Sequence, residues 1–386
     1  MNTNKKKVIF YWSPCLNPVG TISSTLNSAA SFIKYKPNEY DVHLINTCGE
    51  WDQYHEFIND NKIKLIDLQF KYFKYLPKRG YFQSRLSYIL IFFLSFLPLA
   101  KLIKKYQPDY IVNHLVTSLP LTLLFFFKFK SKFILRISGF PKLNILRKTF
   151  WKCISHKLYC VTSPSEELKE NLTKLNIFQK EKIFFLPDAI INIGNFVKKK
   201  NEKINEFEKI KEKKIIFSAG RMTKQKNFSY LVNEFSDFCL KNDDFILNIL
   251  GDGEEMNMIK QKIIEKKMSD KIILRGYVDN VYKYFKHGDL FVLSSKWEEV
   301  GFVIVEAALS NLFVISSDCP NGPSEFLNYG KNGILFKNNQ KGALSKALEN
   351  FVSLSGKQNM KIKLKKNSDK YTMFKHLKVF NKILSN

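Results

Sequence analysis

The stretch KIIFSAGRMTKQKNFSYLVNEFSDFC, residues 214–239, is typical of a buried strand, a polar loop and an amphipathic helix in succession. The run KIIFSAG is almost continuously apolar, as in a strand that is covered on both faces. Behind Asn227, a plausible helix cap, apolar residues recur at helical spacing: Phe228, Leu231, Val232, Phe235 and Phe238. A strand followed directly by a helix is the unit from which parallel sheets are built.

The same unit recurs in both halves of the chain. Strand-like runs before residue 190 are KVIFYW, YDVHLIN, DYIVNHL, KFILRIS, KLYCVTS and KIFFLP, and those after residue 213 include DFILNIL, KIILRG, DLFVLSS and LFVISSD. A chain of 386 residues is also too long for one ordinary core. We therefore predict an α/β fold with two parallel sheets and a cleft between them. The predicted domains are 1–192 and 213–365, with a charged linker at 193–212 and a C-terminal helix at 366–386 that packs back toward the first domain.

Ligands of such sheets bind at the carboxyl ends of the strands, where loops enter helices. After KIIFSAG come Arg221 and Lys226, and after DFILNIL comes the turn GDGEE. Two cations beside a helix start are suited to a diphosphate, because free backbone amides and cationic donors stabilise the same charge. The chain has no G-x-x-x-x-G-K-[ST] segment, and GDGEE lacks the third glycine of a dinucleotide turn, so ATP hydrolysis and hydride transfer lose support.

The third such loop lies in KWEEVGFVIVEAALSN, residues 296–311. If a helix begins near Gly301, the amides of Gly301, Phe302 and Val303 would accept a phosphate. Glu298 and Glu306 would then lie on either side of that phosphate, where carboxylates can bind the hydroxyls of a sugar and a ribose. The alternative is an ordinary amphipathic helix with exposed glutamates.

Basic residues outnumber acidic ones by 62 to 35, which suggests an anionic partner or a chain-wide bias toward lysine. No zinc module, RNA-binding signature or helix-turn-helix pattern supports nucleic acid as that partner. The run LSYILIFFLSFLPLA, residues 86–100, is flanked by lysines and aromatics, which fits either a helix in a membrane interface or a buried core helix. The six cysteines lack metal-ligand spacing and are expected to be free thiols, and no signal-peptide pattern is present.

Five segments in order resemble the nucleotide-sugar domain of family 4 retaining glycosyltransferases, which have the two-domain GT-B fold with Rossmann-like parallel sheets. They are AGRMTKQKNFSYLVNEF, LNILGDGEE, LRGYVDNV, SSKWEEVGFVIVEAALSN and DCPNGPSEFLNYGKNGILF, within residues 214–340. The fourth segment matches the family signature of two glutamates separated by seven residues. It departs from the family at Glu299 and Val300, where a glycine followed by Phe or Pro is usual.

The resemblance implies a role for each matching residue. Arg221 and Lys226 would neutralise the donor diphosphate and the leaving group, and Glu298 would orient the transferred sugar, so these three are the candidate catalytic residues. Glu306 would bind the ribose. The remaining candidate donor-binding residues are Gly20, Gly220, Tyr277, Val278, Gly301, Phe302 and Val303.

The first half resembles the family less. Gly20 occupies the position of a Gly-rich loop that would approach the donor phosphate. His114 ends a strand where the family often has His, and it could bind the acceptor or be a satisfied core histidine. Arg136 and Ser138 are further candidates for contact with an acceptor phosphate or sugar.

The implied activity is transfer of a hexose or N-acetylhexosamine from a UDP-sugar to a glycan acceptor, with retention and without a metal or a cofactor. The acceptor would be a lipid-linked oligosaccharide, a lipopolysaccharide or a capsule precursor. We expect a cytoplasmic protein that binds peripherally to the anionic surface of the inner membrane. The alternatives are a sugar-nucleotide epimerase or a glycan phosphorylase on the same fold and, more distantly, a basic nucleic-acid-binding protein.

Overall fold

The computed structural model of the chain describes residues 5–16, 20–68, 71–77, 81–204 and 213–385. It divides into two compact units. Unit 1 comprises Met1–Ile190 and Met373–Asn386, and unit 2 comprises Ile191–Thr372.

The described residues of unit 1 form a seven-stranded sheet in the order β3-β2-β1-β4-β5-β6-β7, in which neighbouring strands are parallel. Its strands are β1 (Lys7–Trp12), β2 (Tyr40–Asn46), β3 (Lys64–Asp67), β4 (Tyr110–Asn113), β5 (Lys132–Arg136), β6 (Cys160–Ser163) and β7 (Ile183–Phe185). Its helices are α1 (Gly20–Tyr35), α2 (His55–Asp60), α3 (Tyr81–Tyr106), α4 (Ser118–Phe126), α5 (Ile145–Ile154), α6 (Glu166–Lys174) and, at the end of the chain, α15 (Met373–Ser385).

Helices cover both faces of this sheet, so its central strands are buried on both sides. In β1, Ile9 and Tyr11 point into a core that includes residues of α1 and α15. Phe10 and Trp12 point into the opposite core, which includes residues of α3, α4, α5 and α6. This alternation explains why the strand is apolar throughout.

Unit 2 repeats the architecture with a six-stranded parallel sheet of order β10-β9-β8-β11-β12-β13. Its strands are β8 (Lys214–Ala219), β9 (Phe245–Leu250), β10 (Ile272–Gly276), β11 (Leu290–Leu293), β12 (Phe313–Ser317) and β13 (Ile334–Phe336). Its helices are α7 (Ile193–Lys200), α8 (Phe228–Cys239), α9 (Met256–Glu265), α10 (Tyr282–Phe285), α11 (Phe302–Leu309), α12 (Pro323–Phe326), α13 (Ala343–Ser353) and α14 (Lys357–Ser368).

The structure confirms the predicted α/β class with two Rossmann-like parallel sheets, but it divides the chain differently from the predicted domains. Residues 193–200, predicted as linker, form helix α7 of unit 2, whereas residues 205–212 of that linker lie outside the described residues. The predicted C-terminal helix 366–386 is also split. Residues up to Thr372 belong to unit 2, and α15, which begins at Met373, packs against α1 in unit 1.

Candidate functional site

The order of the strands in unit 2 reverses between β8 and β11, and this topological switch point is where open parallel sheets bind ligands. The loops that follow these two strands are joined directly. The Lys296 amide donates to the Gln225 carbonyl at 2.8 Å, and the Ser294 hydroxyl donates to the Lys226 carbonyl at 2.8 Å. The loop with Arg221 and Lys226 therefore lies against the loop with Glu298.

Lys226 and Glu298 form an ion pair at this switch point. The Lys226 ammonium lies 2.5 Å from Glu298 Oε1, and the side chains are 17% and 7% exposed. The Ser295 hydroxyl donates to the same carboxylate oxygen at 2.5 Å. Protein contacts thus hold both the cation predicted to bind a diphosphate and the carboxylate predicted to face a sugar.

Gly220 and Arg221 precede this ion pair along the chain. A Cβ on Gly220, where φ is +151°, would lie 3.0 Å from Lys226 Cε, so the Lys226 side chain packs directly over the glycine. Arg221 is exposed. The loop thus has one cation that is engaged by Glu298 and, at Arg221, a cation that is available to solvent.

The GDGEE turn fixes the backbone at the start of the Arg221 loop. A Cβ on Gly251, where φ is +140°, would lie 1.9 Å from the Gly220 carbonyl oxygen, and a Cβ on Gly253 would lie 2.5 Å from the Met222 carbonyl oxygen. Hydrogen bonds join the same segments, from the Gly220 amide to the Leu250 carbonyl at 2.9 Å and from the Met222 amide to the Asp252 carbonyl at 2.9 Å. Both glycines therefore serve a close approach of two backbones.

Helix α11 begins at Phe302, and Gly301 precedes it in the left-handed conformation at φ +74°. The side chains of Phe302 and Val303 are partly exposed, and amides in a first helical turn have no acceptor within the helix. The unusual residue Val300 is fully buried. A Cβ on Gly322 would lie 2.7 Å from Val300 Cα, so only glycine permits this approach to the loop that carries Glu298.

Glu306 lies just over one turn into α11 and accepts a hydrogen bond from the Tyr282 hydroxyl at 3.3 Å. Burial raises the pKa of Glu306 to about 7, although the Tyr282 hydrogen bond and the Lys199 charge both lower it. Tyr282 packs edge-on against Phe196 of α7, at 5.0 Å between ring centroids. Sequence reasoning missed Tyr282 and Lys199, because it assigned residue 199 to the linker and found no signal at Tyr282.

The predicted base-side residues lie in the loop between β10 and α10. Tyr277 is 73% exposed and Val278 is partly buried. Asn280 fixes this loop, since its side chain accepts from the Tyr282 amide at 3.0 Å and donates to the Lys199 carbonyl at 2.9 Å. The loop is therefore held between the start of α10 and the end of α7.

In unit 1 the strand order reverses between β1 and β4, and His114 follows β4. Its Nδ1 lies 2.9 Å from the Thr25 hydroxyl and its Nε2 lies 2.8 Å from the Ser138 hydroxyl. Burial and the nearby Arg136 charge lower the pKa of His114 to about 3, so the imidazole is neutral at pH 7. Gly20, another candidate, is the exposed first residue of α1, the helix that carries Thr25.

Arg136, predicted to contact an acceptor phosphate or sugar, is buried in an ion pair within unit 1. Its guanidinium donates to Asp188 Oδ1 at 2.6 Å and to the Leu186 carbonyl at 2.9 Å, and both side chains of the ion pair are 4% exposed. The Ser24 hydroxyl donates to the same Asp188 oxygen at 2.7 Å. Although burial opposes ionisation, the Arg136 charge and these hydrogen bonds hold the pKa of Asp188 below its usual value. The position supports a structural role for Arg136.

Two Rossmann-like parallel-sheet domains in one chain, with polar loops at the switch point of each sheet, define the α/β class of the GT-B fold. A solved structure with this fold is that of Anabaena Alr3699/HepE in complex with UDP. It matches 98% of this chain and 99% of its own with a TM-score of 0.73 and 14% identity, which shows a shared fold.

Residues 197–371, nearly all of unit 2, match the family model of glycosyl transferases group 1. An uncharacterized glycosyltransferase of Methanocaldococcus jannaschii is 29% identical over 269 residues, which are 61% of this chain and 65% of that protein. The poly(ribitol-phosphate) alpha-N-acetylglucosaminyltransferase of Staphylococcus aureus is 30% identical over 170 residues, 44% of this chain and 32% of that protein. The matches thus span less than two thirds of the length of either relative.

Proposed function

We propose that the chain is a retaining glycosyltransferase that moves a hexose or N-acetylhexosamine from a UDP-sugar to a glycan acceptor without a divalent metal. The observation that carries the proposal is the Lys226–Glu298 ion pair beside the exposed Arg221, at the switch point of unit 2. These residues lie within the segment that matches the glycosyl transferases group 1 model.

The proposed chemistry needs positive charge at the leaving diphosphate. When the bond between the sugar and the phosphate breaks, negative charge grows on the diphosphate oxygens, and fixed cations stabilise it best. An ammonium has three donors, so Lys226 can keep its bond to Glu298 and also bind a phosphate oxygen. Arg221 would supply the second cation. This pair would take the place of a metal ion.

The carboxylates are assigned to hydroxyl groups. Within the described residues, the bonds from Lys226 and Ser295 both go to Glu298 Oε1, and we assign Oε2 to a hydroxyl of the transferred sugar. Glu306 would accept the ribose hydroxyls, with Tyr282 orienting its carboxylate. The first-turn amides of α11 would bind the phosphate between them.

The proposed acceptor is a lipid-linked oligosaccharide, a lipopolysaccharide or a capsule precursor at the cytoplasmic face of the inner membrane. The Staphylococcus aureus relative, whose name specifies poly(ribitol-phosphate) as its acceptor and N-acetylglucosamine as its sugar, supports transfer of an N-acetylhexosamine to a polymeric acceptor. The UDP in the Anabaena complex supports UDP as the nucleotide.

The test is a panel of UDP-sugars assayed for UDP release, with and without membrane extract and with and without EDTA. We expect one sugar to give extract-dependent UDP release that resists EDTA and is lost in Lys226→Met. The exposed Lys260 of α9 provides the matched control, Lys260→Met, which should stay active.

Each other outcome contradicts a different part of the proposal. Loss of activity in EDTA would contradict metal independence, and an inverted anomeric configuration of the product by NMR would contradict retention. A changed sugar nucleotide without UDP release would identify an epimerase, and phosphate-dependent formation of a sugar 1-phosphate from a glycan would identify a phosphorylase.

A further inference from the structure

Helix α3 carries apolar side chains on its exposed face as well as on its buried face, where two serines also lie. Ser87 and Ser95 are fully buried, whereas Phe93 is 72% and Leu97 60% exposed. An ordinary helix at a protein surface has polar residues on its exposed face. The exposed apolar residues recur at helical spacing along one stripe: Phe82, Leu86, Ile89, Phe93 and Leu97.

The stripe continues onto the neighbouring helices. Phe96 of α3 lies 6.5 Å from Phe126 of α4, and Phe125 lies 6.1 Å from Phe150 of α5, between ring centroids. We call the combined area the α3–α5 surface, and its exposed members are Phe82, Leu86, Ile89, Phe93, Leu97, Phe125, Phe126, Ile145 and Leu146. An exposed apolar area that extends over three helices marks a surface that binds a partner.

The sequence around this surface is almost free of acidic residues. Residues 68–165, about a quarter of the chain, contain 17 of its 62 basic residues but only one of its 35 acidic residues, Asp109. A chain-wide lysine bias would enrich basic residues everywhere, but it would not remove the acidic ones from one segment. The local charge therefore favours a partner that is itself anionic.

Lysines and tyrosines flank α3 at both ends. The Lys74 ammonium lies 4.8 Å from the centroid of the exposed Tyr75 ring before the helix, and the Lys105 ammonium lies 5.3 Å from the centroid of the exposed Tyr106 ring at its end. Lys101 and Lys104 are also exposed in the last turns. Aromatic rings and lysines beside an apolar helix are typical of the boundary between lipid headgroups and acyl chains.

We propose that the α3–α5 surface binds an anionic lipid bilayer, with α3 lying parallel to the membrane plane and its Phe93–Leu97 face among the acyl chains. The apolar stripe supplies insertion, and the lysines supply attraction to anionic headgroups. The proposal rests on unit 1 alone and holds whether or not the proposed transferase activity is correct.

Helix α3 could instead cross the membrane by length and composition, since Phe82–Tyr106 is 25 residues long, well beyond the predicted 86–100. The packing of the helix opposes this. Ile91, Leu99 and Ile103 are buried, and the last two belong to the core beneath the sheet of unit 1. Crossing would pull these side chains out of the core, whereas a parallel orientation leaves them in place.

The test is flotation of the full chain with phosphatidylglycerol–phosphatidylethanolamine vesicles and with phosphatidylcholine vesicles. We expect binding to the anionic vesicles at about 0.1 M salt and a large loss at about 1 M salt, where the screening length falls from about 10 Å to about 3 Å. The double variant Phe93→Asp/Leu97→Asp should lower the bound fraction about tenfold or more, because two side chains lose their burial in lipid. The control Leu240→Asp, at an 80% exposed leucine of unit 2, should bind as the unchanged protein does.

Circular dichroism and thermal unfolding identify any variant that fails to fold. In that case Lys101→Glu/Lys105→Glu, which changes only exposed side chains, serves as a second test and should weaken binding to the anionic vesicles alone.

Failure of the unchanged protein to float with anionic vesicles at low salt would overturn the proposal. Retention in the membrane after alkaline carbonate extraction would show a spanning helix and would also overturn it. So would a dimer in vesicle-free solution that Phe93→Asp/Leu97→Asp dissociates, because a second copy would then cover the surface. Lys226→Met should still float, so loss of activity and loss of binding are separable.

Discussion

Replacing Lys226 by methionine should destabilise the protein even in the absence of substrate. The Lys226 ammonium lies 2.5 Å from Glu298 Oε1, and the two side chains are 17% and 7% exposed. Removing one partner of a fully buried ion pair costs about 3–5 kcal/mol, because the other charge is left without compensation. Ser295 still donates to Glu298, so we expect Lys226→Met to lower the free energy of unfolding by about 2–3 kcal/mol.

The matched variants separate the ion pair from other effects of substitution. Glu298→Gln leaves an ammonium that can reach solvent, so it should cost about 1–2 kcal/mol. The double variant Lys226→Met/Glu298→Gln should cost less than the sum of the single variants, with a coupling free energy of about 1.5 kcal/mol or more. Urea unfolding of the four proteins at pH 7 measures each term. Additive costs would refute the reasoning, since they would show that the two side chains do not interact in solution.

The same substitution tests the proposed role of Lys226 in the reaction. Removal of one fixed donor from a site of developing negative charge lowers the rate by about 10²–10³-fold. Lys226→Met should therefore reduce UDP release by about this factor under conditions in which it remains folded. A loss much smaller than tenfold would show that Lys226 does not act on the leaving group.

Three further predictions concern other parts of the two units. Gly251→Ala should lower the free energy of unfolding in urea by about 3 kcal/mol or more, because its Cβ would lie 1.9 Å from a carbonyl oxygen. The control Gly342→Ala, at φ +74° with nothing within 4 Å, should lower it by only about 1–2 kcal/mol. Equal losses in the two variants would contradict the close approach at Gly251. The pKa of Glu306 is raised to about 7, so its carboxylate becomes ionised between pH 6 and pH 8. If the ionised form accepts the ribose hydroxyls, the affinity for UDP measured by calorimetry should rise about tenfold over this range. Glu306→Gln should remove the part of this rise that is due to Glu306. Arg136→Met should lower the free energy of unfolding by about 3–5 kcal/mol, since it leaves the Asp188 carboxylate buried and unpaired. Because the folded pKa of Asp188 is lowered, its contribution to stability is present near neutrality and is lost as the pH falls through the acid range, so the acid-induced loss of stability should be smaller in the variant.

The central strands and the order of the loops could be predicted from the sequence because each leaves a local signal. A strand buried on both faces, such as β8 or β12, is a short apolar run, and a polar loop must follow it. Two of the four edge strands in the described residues, β3 and β13, could not be predicted in this way. Charged residues interrupt KLID and ILF has only three residues, whereas the edge strands β7 and β10 lie within the longer runs KIFFLP and KIILRG.

Contacts between distant residues could not be predicted in the same way. Arg136 meets Asp188 across 52 residues, and no local pattern distinguishes a buried guanidinium from one that is open to an acceptor. Helix α7 was assigned to a linker because lysines dominate its end. Its packing against α10 appears only when Phe196 contacts Tyr282.

The two switch points differ in how their polar groups are satisfied. In unit 1, both ring nitrogens of His114 have protein partners, and Arg136 donates to a carboxylate and a carbonyl. In unit 2, Arg221 is exposed, and the amides of Phe302 and Val303 in the first turn of α11 have no acceptor within the helix. Burial of unsatisfied donors is costly, so donors that remain at a switch point must face water or a ligand. An anion with several oxygens would satisfy these groups together, which is why we assign the donor diphosphate to unit 2.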